Sequence, residues 1–342
     1  MNKHKDRVGL IALISLFLFV GLLYVFVAFP TSFKPLLSVQ YNQCQPSKTG
    51  DDALEVALSE ASMEDRTVII TIVNKAYVEG DKPMLDMFLD SFWVGEDTRE
   101  LVDHLLLVAM DPTSFEHCKF LRLHCYMLEM EDDMDSKAEK LYMSDNFIKM
   151  MWRRTLFLGD VLKRGYSFIF TDTDVMWLRN PFPRLSQNGT IDLEISTDVF
   201  NGDEGSEANP MNTGFYMIRS NNKTISLFDA WYARKDNSTG LNDQLILGNM
   251  MRGGVLRDIG LTVRFLDTKY FTGFCQDTKD FKALTTVHAN CCRTIRAKLA
   301  DLSALIHDWK MFKRTSTNDS LTSGLSTLMH VACTDSWIGH KW

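Results

Sequence analysis

Positive charge is scarce in this sequence: 37 Lys and Arg stand against 44 Asp and Glu, for a formal net charge of −7. There is no arginine-rich tract. Proteins that bind nucleic acid broadly carry a basic surface, so that class is excluded. No repeat of fixed period is present, which excludes stacked-repeat architectures. Disorder is excluded by composition, because 45% hydrophobic and 24% charged residues describe a chain able to bury a core. At 342 residues there is room for one large domain or two small ones.

A second absence is local. Residues 8–29, "VGLIALISLFLFVGLLYVFVAF", contain no charged side chain. A helix needs about 20 apolar residues to cross a bilayer, and this run is long enough. A cleaved signal peptide has an apolar core of only about 7–15 residues, followed by small ones. Here Pro30, Phe33 and Pro35 follow instead. A helix apolar on all sides is either a buried core helix or a membrane span, and its place at the start of the chain favours the span. Lys3, Lys5 and Arg7 precede it, and the positive-inside tendency puts them in the cytosol. These signs predict a cytosolic tail (1–7), a transmembrane signal anchor (8–29) and a lumenal stem (30–52), with the rest of the chain in a lumen.

All seven cysteines (Cys44, Cys118, Cys125, Cys275, Cys291, Cys292 and Cys333) follow the apolar run. A lumenal compartment permits disulfides, but their pairing does not follow from sequence. The odd count leaves at least one thiol unpaired or open to a second chain. Adjacent Cys291 and Cys292 lack the spacing of a zinc knuckle. Asn-x-Ser/Thr acceptor tripeptides begin at Asn188, Asn222, Asn237 and Asn318, which is consistent with a lumenal domain.

Beyond the stem, helical spacing over residues 53–62 is followed by "TVIITIVN", a short β-branched run that reads as a buried parallel strand. Residues 83–94 read as a helix with Pro83 in its first turn, and 104–111 as a second buried strand. A polar stretch with an acidic cluster at 129–135 reads as a solvated loop. Residues 144–165 predict a long helix, with Ser144 as N-cap and Gly165 at its end. That helix feeds the strand "YSFIF". Further strands are expected at 214–220, 263–267 and 283–292, helices near 225–233 and 243–251, and a helical pattern running to about Trp309. Strands alternating with helices indicate an α/β sheet. In such sheets ligands sit beyond the carboxyl ends of the strands, where Asn74, Asp111 and Asp172 fall.

The stretch "FIFTDTDVMWLRNPF" (168–182) is the sharpest signal. A core strand ends in two aspartates, Asp172 and Asp174, one residue apart. Hard divalent cations such as Mn²⁺ and Mg²⁺ prefer carboxylate oxygens and bind phosphate alongside them. Turn and capping roles explain an isolated D-x-D better; the apolar strand before it, "VMWLRNPF" after it and the α/β pattern around it favour a cation.

With "NPMNTGFYMIRSNN", "NDQ" and "VHANCC" in the same order, the chain from about Ala53 to Trp309 resembles the plant nucleotide-diphospho-sugar transferases of glycosyltransferase family 77. The resemblance implies a GT-A fold, a Rossmann-like mixed sheet flanked by helices, at 53–310, leaving 311–342 as a C-terminal tail. It implies a single-pass type II Golgi membrane protein, dependent on Mn²⁺ (or Mg²⁺), that transfers a sugar with retention. The donor would be a UDP-linked sugar and the acceptor a hydroxyl of a cell-wall glycan or glycoprotein; partners would include other Golgi enzymes or a second copy. Carried over by residue, it makes Asp172, Asp174 and His288 the metal ligands. Thr71 and Asn74 approach the nucleotide, and Arg154 and Lys298 the phosphates. Asn212, Thr213 and Gly214 face the sugar, with Asp198, Asp243 and Gln244 as the catalytic candidates. Where relatives often show His-Asp-Gln, this chain has Asn242-Asp243-Gln244, which removes a titratable group. Two other classes fit less of the pattern: an inactive lumenal scaffold for Golgi enzymes, and a metal-dependent phosphoryl-transfer enzyme. The latter would place its first aspartate after the first strand, and Asp172 comes later.

Overall fold

The computed structural model describes residues 50–129, 144–187, 189–238, 240–278, 280–315 and 330–338. The expected cytosolic tail, span and nearly all of the stem lie outside them. Among the described residues no helix is long and apolar enough to cross a membrane. The first helix, α1 (Gly50–Ala61), takes in the end of the expected stem.

Seven strands form the main sheet: β1 (Thr67–Val73), β2 (Leu105–Ala109), β3 (His124–Met127), β4 (Ser167–Thr171), β6 (Leu193–Thr197), β7 (Met211–Ile218) and β8 (Val263–Phe265). Their order is β3-β2-β1-β4-β7-β6-β8. The first four are mutually parallel, joined by α2 (Lys75–Val78), α3 (Met84–Val94), α4 (Pro112–Phe120) and α5 (Asp145–Lys163). β7 then runs antiparallel to both β4 and β6, so the sheet is mixed, as expected.

Each strand serves two cores, because successive side chains point to opposite faces. Ile69, Ile169 and Met217 face one apolar cluster with Phe88, Trp177 and Trp309. Val68, Ile70, Phe168 and Tyr216 face the other, with Trp152 and Phe228. This two-sided burial is why the strands read as continuous apolar runs. Ser144 caps α5 by accepting from Phe147 N at 3.3 Å, and Gly165 follows the helix at φ +81°, a conformation that favours glycine.

A three-stranded sheet lies beside the first: β5 (Val175–Trp177), β9 (Phe271–Gly273) and β10 (Thr286–His288), in the order β5-β10-β9. β10 pairs antiparallel with β5, setting His288 opposite Val175. This pairing brings the histidine beside the aspartates. The remaining helices are α6 (Asn222–Tyr232), α7 (Asp243–Arg252), α8 (Val255–Ile259), α9 (Ile295–Thr315) and α10 (Val331–Asp335).

Three expectations need amending. The strand expected at 214–220 is β7, which starts earlier, at Met211, so that Asn212 and Thr213 lie inside it. The stretch after β2 holds α4 and β3, too short and too polar to show a period. Pro83 precedes α3 as its N-cap and is not in its first turn. The cysteines settle into Cys118–Cys125, Cys275–Cys291 and Cys292–Cys333, which rules out zinc at Cys291-Cys292; Cys44 lies outside the described residues.

Candidate active site

A cavity of about 310 Å³ opens where the parallel strands end and β7 reverses the direction of the sheet. Asp172 and Asp174 occupy the turn between β4 and β5. The Asp172 backbone N–H donates to Gly214 O at 2.7 Å, and Ala289 N donates to Asp174 O at 3.0 Å. The turn is therefore pinned on both sides by the elements that carry the other site residues.

Asp174 is nearly buried. Its Oδ1 lies 3.3 Å from His288 Nε2 and its Oδ2 lies 2.7 Å from Lys298 Nζ, on the first turn of α9. Burial alone would raise its carboxyl, but Lys298 and then His288 outweigh that and hold it well below the usual carboxylate range. Burial likewise opposes charge on the two cations, yet Asp174 holds both above their ordinary values. Asp172 behaves in the opposite way. Burial pushes its carboxyl up to about 6 against the pull of Arg154, with Asp174 adding to the rise.

One ligand atom each from Asp172, Asp174 and His288 lies within 4.8 Å of the others. The two carboxylates suit a hard divalent ion such as Mn²⁺ or Mg²⁺, for which the imidazole is the less typical ligand of the three. The backbone supports that fit at Gly214. A Cβ there would run into the His288 ring and lie 2.9 Å from Asp172 Oδ2, so Asp172 and His288 come together only over a residue without a side chain. Lys298 pairs with Asp174 at this end of the cavity, where the resemblance places it against phosphate.

The other end is built from hydrogen bonds between protein groups. Arg154 reaches from α5 to Asp243 Oδ2 at 2.6 Å, and to Asp172 Oδ1 and Thr213 Oγ1 at 3.4 Å each. Expected to meet a diphosphate, Arg154 is instead buried and engaged by two carboxylates. Asp243 is 1% exposed. Gln244 Oε1 accepts from Thr213 N at 3.0 Å and Thr213 Oγ1 at 3.1 Å. Asp198 Oδ1 accepts from the side-chain amides of Asn212 at 2.8 Å and Asn290 at 2.9 Å. Asn242 caps α7 by accepting from Leu245 N at 2.9 Å, a role that asparagine fills well.

Of the expected nucleotide contacts, Asn74 lines the cavity and also caps α2, accepting from Ala76 N at 3.1 Å. Thr71 does not line it. Strand alternation turns its side chain to the same face as Ile69 and Val73, where it is fully buried. Asp111 does not line it either; it caps α4 and accepts from Lys75 N at 2.6 Å. Tyr77, Asn290, Arg293 and Trp337 line the cavity and were not singled out from sequence. Asn290 stood two residues past His288; Trp337 had no signal, lying in a stretch read as a tail.

A mixed α/β sheet ending in a cavity with a D-x-D turn and a converging histidine defines a nucleotide-sugar-binding enzyme class. Residues 100–302 match the family model of the nucleotide-diphospho-sugar transferases, and the chain belongs to that family. It is 47% identical to an uncharacterised Arabidopsis thaliana protein over 96% of this chain and 94% of that one. It is 25% identical to an Arabidopsis thaliana beta-arabinofuranosyltransferase over 68% of this chain and 44% of that one. It is 26% identical to an Arabidopsis thaliana UDP-D-xylose:L-fucose alpha-1,3-D-xylosyltransferase over 53% and 46%. Among solved structures, a galactosyltransferase in complex with donor and acceptor sugar analogues aligns with a TM-score of 0.42 at 12% identity, over 71% of this chain and 95% of that one.

Proposed function

We propose that this protein is a metal-dependent, retaining glycosyltransferase that moves a sugar from a UDP-linked donor to a hydroxyl of a cell-wall glycan or glycoprotein. The observation that carries this reading is the convergence of Asp172, Asp174 and His288 within 4.8 Å in a cavity that also holds Asp243 and Gln244. The names of the arabinofuranosyl- and xylosyltransferase relatives support the substrate class. In this reading Asp172, Asp174 and His288 hold Mn²⁺ or Mg²⁺, which supplies Lewis-acid stabilisation of charge on the leaving diphosphate.

The chain's own groups divide the rest. Lys298 adds a point charge for the diphosphate, and Asn74 lies where the nucleotide enters. Asp243 is buried and paired with Arg154, so it positions the sugar pocket and does not attack. Asp198, only partly buried and with one oxygen held by Asn212 and Asn290, is the carboxylate placed to stabilise positive charge at the anomeric carbon or to form a covalent intermediate. Gln244 is fixed by Thr213 at the same end. Three disulfides fit an oxidising lumen, in keeping with a Golgi type II protein anchored through residues 8–29.

Thermal denaturation of the full-length chain with UDP, with and without Mn²⁺, tests this reading. A ligand present at 100 times its Kd stabilises the native state by about 2.7 kcal/mol. UDP should raise Tm only with Mn²⁺, and not in Asp172→Ala/Asp174→Ala. UDP-linked arabinofuranose, xylose and galactose, offered with methyl L-fucoside and methyl arabinofuranoside, then identify donor and acceptor. A folded wild type indifferent to UDP with Mn²⁺, and to other nucleotides, would instead point to the scaffold.

A further inference from the structure

The residues after α9 return to the cavity. Residues 330–338 are tied to the segment that follows His288 by the Cys292–Cys333 disulfide. The Asp301 carboxylate of α9 accepts from Ala332 N at 3.2 Å and Cys333 N at 2.7 Å. The His330 ring stacks on Phe274 with centroids 4.9 Å apart. These anchors deliver Trp337 into the cavity wall. Its indole N–H donates to Cys291 O at 2.7 Å, and the Arg293 guanidinium lies 5.2 Å from its ring centroid. Cys291 itself holds φ +52°, a conformation uncommon outside glycine. It lies between Asn290, which binds Asp198, and Cys292, which binds this strap.

We propose that Trp337, with Arg293, forms a wall of the acceptor-sugar subsite; the assignment rests on the transferase reading above. Three observations direct it to the acceptor. The diphosphate end is already provided for by Asp172, Asp174, His288 and Lys298, and Asp172 is linked to Asp243 through Arg154. Trp337 is half-buried, and its neighbours on the strap, Val331 and Ile338, are 54% and 74% exposed; the strap therefore meets solvent, from which an acceptor glycan arrives. The chemistry also matches. With its N–H engaged by Cys291, the indole offers a fixed apolar surface, while Arg293 adds N–H donors beside it. A sugar ring has an apolar C–H face edged by hydroxyls, which needs that pairing of a flat apolar wall with a few placed polar groups. Pinning the strap by a disulfide and a carboxylate cap removes ordering cost on binding.

Methyl L-fucoside and methyl arabinofuranoside are titrated against the full-length chain saturated with UDP and Mn²⁺, read by saturation-transfer NMR, for wild type, Trp337→Ala and Trp337→Phe. The UDP-dependent rise in Tm is measured on the same samples. Trp337→Ala should weaken the better glycoside about ten-fold or more, while the UDP shift persists and Trp337→Phe keeps most of the affinity. In turnover the loss should appear in the acceptor KM and not in the donor KM. Equal glycoside binding in Trp337→Ala overturns the proposal. So does loss of the UDP shift in that variant, which would assign Trp337 to the nucleotide. A wild type without any UDP shift is a different result: it removes the transferase reading, and is seen before any variant is compared.

Discussion

The two ends of the cavity are built on opposite principles. At the D-x-D end, Asp174 is held between His288 and Lys298, and Asp172 has its carboxyl pushed up to about 6. The charge on Asp174 is stabilised by those two partners, whereas burial raises the energy of the charged Asp172, a state that a divalent ion would relieve. At the sugar-facing end the protein supplies the partners itself: Asp243 has Arg154, Asp198 has two amides, and Gln244 has Thr213. In the proposed reading a ligand completes the first end, while the second is finished on folding. Substitutions at the first end should therefore cost activity and ligand response. At the second, burial decides whether they cost stability as well.

The largest effect should come from Asp174→Ala. With one of the three proposed metal ligands gone, transfer should fall by about 10³-fold or more, above the 10²–10³ typical of removing a single electrostatic stabiliser. Circular dichroism should show an unchanged fold, and UDP should no longer respond to Mn²⁺. A fully active Asp174→Ala would break the distinction at its root. His288→Ala should be milder, raising the Mn²⁺ concentration needed for half-maximal UDP binding by about 10–100-fold, a loss comparable to that of an outer-shell metal partner.

At the finished end the contrast lies within one pair of residues. Asp243→Ala leaves Arg154 buried and without its closest carboxylate, which should cost about 3–5 kcal/mol of stability in denaturant titration. Asp198→Asn should reduce transfer by about 10²–10⁴-fold, the range for a positioned carboxylate, with Tm nearly unchanged because Asp198 is only partly buried. If Asp198→Asn unfolds the protein while Asp243→Ala does not, the assignment of anchor and reacting group is reversed.

The smallest effect concerns acid. Asp174 has a folded-state pKa below its unfolded value, so its contribution to stability is present above the unfolded pKa and is lost as pH falls through that value toward the folded one. Measured without metal between about pH 5 and pH 3, a window spanning the ordinary aspartate value, wild type should lose more Tm than Asp174→Asn. Equal slopes would mean that Lys298 and His288 do not hold the carboxylate as the distances indicate.

Much of this site was legible in the chain before folding. Asp172 and Asp174 announced themselves because a strand that buries both faces leaves a run of apolar residues, against which two carboxylates stand out. Asn212, Asp243, Gln244 and His288 came from motif resemblance and do line the cavity. Thr71 failed because strand alternation, invisible in a run that is apolar on both faces, turned it into the core. Arg154 also lines the cavity, but its pairing with Asp243 was not legible, since a sequence does not show which carboxylate an arginine will meet across 89 positions.

What the sequence determined by itself was therefore local and periodic: the apolar run at residues 8–29, the strands β1, β2 and β4 with the helices α1, α3 and α5, and the strand-end aspartates, but not the short α4 and β3 between them. These follow from backbone periodicity and from the cost of burying charge, both properties of neighbouring residues. The tertiary structure decided what depends on distant pairing. The β5–β10 register brought His288 to Asp174, the antiparallel β7 gave Gly214 its place beneath His288 and Asp172, and Cys292–Cys333 returned Trp337 to the cavity. Those contacts join segments far apart in the chain, and packing of the whole sheet, not any local preference, selects them.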